Sequence, residues 1–191
     1  EMEVKANKVT WPLMYKEIGN DLNSLYNKIN STNKTIVDFL KENGLEENEI
    51  TVNAPEIIDM NADRYSSNQS NYRYNVTQVI TVASSKVDLV RRLINEQSEL
   101  LKQGIAITSG DYMYRVQYEY TDLNSIKPQM IEEATKNARA AALKFASDSD
   151  SKLGKIKRAS QGQFSINNRD EYTPYIKKVR VVTSVTYYLK N

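Results

Sequence analysis

Apolar residues along this chain recur with two spacings, and the switches between them mark out its elements. Val9, Trp11 and Leu13 alternate with polar neighbours and predict a strand over 4–15, with Pro12 placing its end at an edge or a bulge. Ile18, Leu22, Leu25, Tyr26, Ile29, Ile36, Val37 and Leu40 then fall at helical spacing and predict a long helix over 19–43, stopped at Asn43-Gly44. A second strand is expected over 49–60, weakened by Pro55, and the polar stretch 61–71 reads as a mobile loop. Residues 72–83 predict a strand. A helix over 87–103 follows, with Ser85 and Asp88 in the pattern of a capping box and Gly104 as its stop. The cleanest alternation is at 112–121: Tyr112, Tyr114, Val116, Tyr118 and Tyr120 share one face, and Met113, Arg115, Gln117 and Glu119 the other.

The chain is organised around 126–154. Ile126, Met130, Ala134, Ala138, Ala141, Ala142 and Phe145 form an apolar stripe kept shallow by its alanines, so that the helix can lie close against a sheet. Asn124 or Ser125 can cap it, Pro128 suits its first turn, and Gly154 lies just beyond its end. Strands over 155–166 and 175–190, separated by a polar loop at 167–173, complete the chain. The order reads strand-helix-strand-strand, a linking helix, then strand-helix-strand-strand again. The expected fold class is therefore α+β: one domain over 1–191, with pseudo-repeat halves 1–84 and 111–191, a linking helix 85–104, and sheets covered by long helices.

Composition removes whole classes of chemistry. With no histidine and no cysteine there is no Ser-His-Asp or Cys-His nucleophile, no His- or Cys-ligated zinc, no thiol redox site and no disulfide. A net charge of +2, from 26 basic against 24 acidic residues, gives no general attraction to nucleic acid. No apolar run approaches the roughly 20 residues that a membrane helix needs. Adjacent carboxylates at Glu46-Glu47 and Glu132-Glu133 point in different directions and make no acid/base pair. Only 6 glycines are present, with no phosphate-cradling loop among them. Asp148-Ser149-Asp150-Ser151 lacks the spaced ligands of a calcium loop and reads as a solvated helix end. The residues thus predict no enzyme, no cofactor and no metal site.

Thirteen tyrosines against 3 phenylalanines and 1 tryptophan leave one candidate face: Tyr112, Tyr114, Tyr118 and Tyr120. Such a face stacks on sugar rings or flat ligands, or fills a half-buried sheet surface or subunit contact; strands favour aromatics in either case. Lys155, Lys157 and Arg158 read as charges guarding a strand edge, and Lys177, Lys178 and Arg180 either discourage edge pairing or frame a contact. Long strands with hairpin loops suit self-assembly or partner capture by edge addition.

The sequence IEEATKNARAAALKFASDSDSKLGKIKRAS resembles the alanine-rich helix, glycine and following strand of the SIMPL domain family, through Ala134, Ala138, Ala141, Ala142, Leu153, Gly154 and Ile156. LKENGLEENEITVNAPEI is similar to the family's passage through Leu40, Gly44, Ile50 and Thr51. YRYNVTQVITVASSKVDLVRRLI is similar to its strand before the middle helix, with Arg73-Tyr74 where Gly-Tyr is common, and VRVVTSVTYYLK fits its last strand. The resemblance covers nearly the whole chain. It implies an exported bacterial protein, periplasmic or outer-membrane-associated, with no established enzymatic activity and with relatives associated with stress tolerance. The expected function is that of a non-enzymatic envelope protein acting through a homo-oligomer or an envelope protein partner. The alternative is a small-ligand or glycan-binding module using the tyrosine face.

Overall fold

The computed structural model describes residues 1–62, 71–108 and 112–190, without the side chain of Tyr112. Most of the loop expected at 61–71 lies outside the described residues. The architecture is α+β, as the spacing predicts, and the chain divides into two compact units, Lys8–Tyr118 and Glu1–Asn7 with Glu119–Asn191.

In the unit Lys8–Tyr118, the central pair is β2 (Lys8–Gly19) and β5 (Tyr74–Ser84), antiparallel along their whole length, with Leu13 opposite Ile80 and Trp11 opposite Val82. Short strands β3 (Ile50–Val52) and β4 (Glu56–Asp59) both pair with the outer side of β5, and Pro55, which has no N–H to donate, falls in the gap between them. The single strand expected over 49–60 is thus two. On the far side of β2 lies β6 (Gln117–Glu119).

Helix α1 (Leu22–Glu42) packs on β2 and β5. Asp21 caps its first turn by accepting from the Ser24 N–H at 2.7 Å, and Gly44, at φ +100°, ends it where sequence places the stop. Leu25, Ile29, Ile36, Phe39 and Leu40 are buried, whereas Leu22 and Tyr26, expected inside, are 46% and 65% exposed. The core joins Val9, Trp11, Leu13 and Tyr15 of β2 to Ile80 and Val82 of β5 and to the far half of α1.

The helix expected over 87–103 is broken into α2 (Val87–Glu96) and α3 (Ser98–Lys102). Buried Leu93 and Leu100 flank a polar run, and the Leu100 N–H turns back onto Gln97 O at 3.1 Å, tightening the chain there. The expected capping box at Ser85 and Asp88 does not form. Ser84 instead accepts from the Lys86 N–H, ahead of the helix, at 2.9 Å while its hydroxyl donates to Glu49 Oε1 at 2.5 Å, and α2 has no side-chain cap among the described residues.

Glu49 also accepts from the Glu46 N–H at 2.8 Å and from Lys86 Nζ at 2.9 Å. Burial pushes its carboxyl upward, but the Ser84 hydroxyl, the Glu46 N–H and Lys86 together outweigh burial and hold it below the ordinary glutamate value. A depressed folded-state value means that this stabilisation is present above the unfolded-state pKa and is lost as pH falls through the folded one. Glu49→Gln is expected to lower the unfolding free energy by about 1–2 kcal/mol at neutral pH and to flatten its decline on acidification. Urea titrations at neutral and acid pH check this; a variant whose deficit persists unchanged in acid would refute the ionised network.

The other unit holds β1 (Met2–Lys5), α4 (Leu123–Asp148), β7 (Lys152–Gln161), β8 (Ser165–Asn168), β9 (Ile176–Arg180) and β10 (Thr183–Lys190). Three strands expected to be continuous are each divided between sheets. The strand over 4–15 breaks at Ala6-Asn7: Val4 pairs with Lys177 and Val9 with Ser84. The strands over 155–166 and 175–190 become β7/β8 and β9/β10, in the sheets β1-β9-β8 and β10-β7. Residues 162–164 face only 181–182 at that joint, with the Gly162 N–H on Val182 O at 2.8 Å, so a one-residue bulge bends the long hairpin.

Helix α4 begins at N-cap Asp122, so the expected caps Asn124 and Ser125 lie within its first turn and Pro128 inside the helix. Its inward row is Ile126, Met130, Ala134, Ala138, Ala142 and Ala146, each four residues on, with Met130 and Ala146 fully buried. A row of this kind slants across the helix axis. It leaves Ala141 exposed and Phe145 76% exposed, contrary to the stripe read from sequence. Gly154 lies not at the helix end but within β7. The helix closes instead through the Ser151 N–H on Ala146 O at 2.9 Å, with Asp150 at φ 51°.

Candidate functional site

The four tyrosines of the sequence-derived face do not share a strand. Tyr112–Tyr114 form a 3₁₀ turn, and only Gln117–Glu119 pair as β6. The cause lies in β2. The Met14 carbonyl accepts from the Thr108 N–H at 2.8 Å on the flank that β6 would cover, so alternation turns the main chain of Pro12 to the same flank, where it has no N–H to offer. The alternation itself persists: Tyr114, Val116, Tyr118 and Tyr120 are half-buried and their neighbours exposed. Tyr118 and Val116 pack against the core of the unit Lys8–Tyr118. Tyr114 borders a cleft with Trp11 and Ile94, and the Tyr120 hydroxyl lies 3.4 Å from Ser125 Oγ. The Tyr112 side chain lies outside the described residues.

Among the described residues no group of three or more Asp, Glu, His or Cys side chains comes together to hold a metal ion, and no helix is long and apolar enough to cross a membrane. Of the basic residues singled out by sequence, Lys177 is not at an edge. It is buried in β9, between β1 and β8, with its Nζ on Asn168 Oδ1 at 2.5 Å, and burial pushes its ammonium pKa downward against the pull of Glu119. Arg180 reaches Glu1 at 3.4 Å. The polar loop before β9 is held by Asp170, which accepts from the main chain of Tyr172 and Thr173, from the Thr173 hydroxyl and from Arg169. Thr173 and Arg169 bring its carboxyl down to about 2.

The ribbon β7–β10 is largely exposed. It is a two-stranded sheet, so each strand has one lateral edge with no partner among the described residues. Helix α4 packs on it, and Val185 and Tyr187 are half-buried. Tyr188, Leu189, Ile156 and Val182 are more than half exposed. The two edges differ in charge. On β7 stand Lys152, Lys155, Lys157 and Arg158, with the Lys157 ammonium 5.6 Å from the Tyr188 ring centroid; β10 carries no charge from Thr183 to Leu189. Gly154 is what lets the strands approach: a Cβ there would lie 2.7 Å from Tyr188 O. The sequence signalled the guarded edge through its lysines, but not that the ribbon stands in a sheet of two.

No curated protein matches the chain. A family model does, that of SIMPL, described as a protein of unknown function (DUF541), over residues 1–187. That match runs from β1 to within β10 and takes in both units. The alanine row of α4, the Gly154 approach and the closing strand, which carried the resemblance in sequence, are parts of one fold, and the chain belongs to the SIMPL family.

Proposed function

We propose that this chain is a non-catalytic protein of the bacterial cell envelope that works by associating with further copies of itself along the free edge of β10. The observation that carries this reading is the ribbon β7–β10, whose β10 edge is uncharged along seven of its eight residues while its β7 edge is guarded by four cations. Unpaired main-chain groups on an uncharged edge recruit another strand, and lysines on an edge repel one. Pairing of β10 with β10 of a second copy, antiparallel, places the same surface on both partners and closes as a two-fold contact. The envelope setting, and with it a part in stress tolerance, is proposed on the family resemblance alone.

Light scattering coupled to size exclusion tests the assembly. The wild-type chain is expected to run as a discrete multiple of 21.9 kDa, and Thr186→Lys, which sets a charge at an exposed position in the middle of β10, to return it to the single-chain mass with an unchanged circular dichroism spectrum. A wild-type protein that stays at the single-chain mass at every concentration would overturn the reading.

A further inference from the structure

We propose that the groove between α1 and the strands β3 and β4 binds a neutral, largely apolar small molecule that carries a hydrogen-bond donor. The site lies wholly within Lys8–Tyr118 and does not depend on the ribbon. It has a volume of about 450 Å³, in the range of pockets that enclose small ligands. Leu22, Leu25, Tyr26 and Ile29 form its helical wall, and Val52 and Ile57 its strand wall. Leu22, Tyr26, Val52 and Ile57 are each about half exposed or more, so the rim is an open apolar concavity rather than scattered surface leucines.

The second observation comes from Gln78, which lines the groove and is 1% exposed. It interrupts an apolar row on β5, between Val76 and Ile80, where a leucine would satisfy packing alone. Its Nε2 donates to Asn53 O at 2.7 Å and to Val79 O at 3.2 Å. Those two carbonyls fix the amide, because a flip would turn Oε1 against them. Oε1 is buried and has no hydrogen-bond partner among the described residues. A buried acceptor without a donor is costly, and because Gln78 lines the groove, a ligand whose donor reaches Oε1 relieves that cost.

The remaining chemistry narrows the ligand class. Among the described residues no lining residue is charged, so none of them pairs a carboxylate, phosphate or ammonium inside the groove. An added peptide strand is disfavoured, since β3 has three residues, β4 four, and Pro55 between them has no N–H to offer. An aliphatic or aromatic alcohol meets all of these conditions: an apolar body for the walls and one hydroxyl for Gln78.

Amide-resolved NMR titration of the full chain tests this with three probes: n-octanol, its donor-free isomer methyl heptyl ether, and octanoate. Octanol is expected to give saturable shifts at the Gln78 side-chain amide and the Ile57 main chain, with the ether and octanoate binding about tenfold more weakly or worse. Gln78→Leu is expected to bring octanol and the ether within about twofold of one another. Leu22→Glu, at an exposed rim position, is expected to weaken octanol while leaving the floor intact, and serves if the Gln78 variant does not fold. Equal binding of octanol and ether by the wild type, undiminished discrimination in Gln78→Leu, octanol binding unchanged by Leu22→Glu, or no saturable shift at the groove would each overturn the proposal.

Discussion

Leu13→Ala is expected to lower the unfolding free energy of the unit Lys8–Tyr118 by about 2–5 kcal/mol. Leu13 has no exposed surface, sits mid-way along β2, and is opposed by Ile80 in the paired strand. Around it the buried cluster joins the sheet to Ile36, Phe39 and Leu40 of α1 and to Val90 and Leu93 of α2. Both the lost transfer energy and the unfilled cavity therefore count, because strand and helix on either side are held by other contacts and collapse only in part. The chain supplies its own reporter: Trp11 is the single tryptophan, is 3% exposed, and stands two residues away on the same face of β2. Urea titration followed by its fluorescence should show a lowered midpoint. Leu143→Ala, at a half-exposed position on α4, is expected to stay within about 0.5 kcal/mol of wild type. A Leu13 variant that shifted no more than this control would mean that the core is not centred on β2.

Much of this core is legible in the sequence because two simple periods encode it. Val9, Trp11 and Leu13 alternate, Leu25, Ile29, Ile36 and Leu40 recur on a helix, and both sets are buried where the spacing places them. What sequence spacing does not contain is the partner. Val4 and Val9 obey one alternation yet belong to different sheets, and no proline or glycine marks the crossing at Ala6-Asn7. Val181-Val182 likewise reads as the middle of a strand but lies at the bulge opposite Gly162.

Helix amphipathicity fails in a similar way at two places. Leu22 and Tyr26 fall on the apolar face of α1 but overhang a groove, because β3 and β4 are short and interrupted at Pro55. Phe145 falls on the apolar stripe of α4 at the usual spacing, yet it is 76% exposed while Ala142 beside it is half-buried and Ala146 buried. Both candidate sites arise at such failures. The groove is where apolar residues predicted inside are left outside, and the ribbon is where long strands find no third neighbour among the described residues. Gln78 could not be singled out from sequence, since an amide in an alternating strand reads as a solvent-facing residue until its face is known.

Gly154 links the ribbon to the family pattern and makes the most discriminating substitution. Strand geometry there is not a matter of backbone freedom but of space: Tyr188 O would lie 2.7 Å and Tyr188 Cβ 3.1 Å from a methyl group at this position. A carbonyl in a paired strand cannot swing aside as a side chain can, so Gly154→Ala must push β7 and β10 apart between the pairs Leu153–Leu189 and Ile156–Tyr187, where the register is already irregular. The expected cost is about 2–3 kcal/mol, read as roughly hundredfold faster hydrogen exchange of main-chain amides over 152–161. Gly104→Ala is the matched contrast. That glycine has φ +80° and nothing within 4 Å of an added Cβ, so it carries a conformational penalty of about 1 kcal/mol and should leave exchange in β7 unchanged. If β10 is the edge along which copies associate, loosening it from β7 also lowers the scattering mass of the Gly154 variant but not of the Gly104 one. Faster exchange with an undiminished mass would detach the ribbon from assembly, and unchanged exchange in β7 would mean that the two strands do not approach as closely as Gly154 permits.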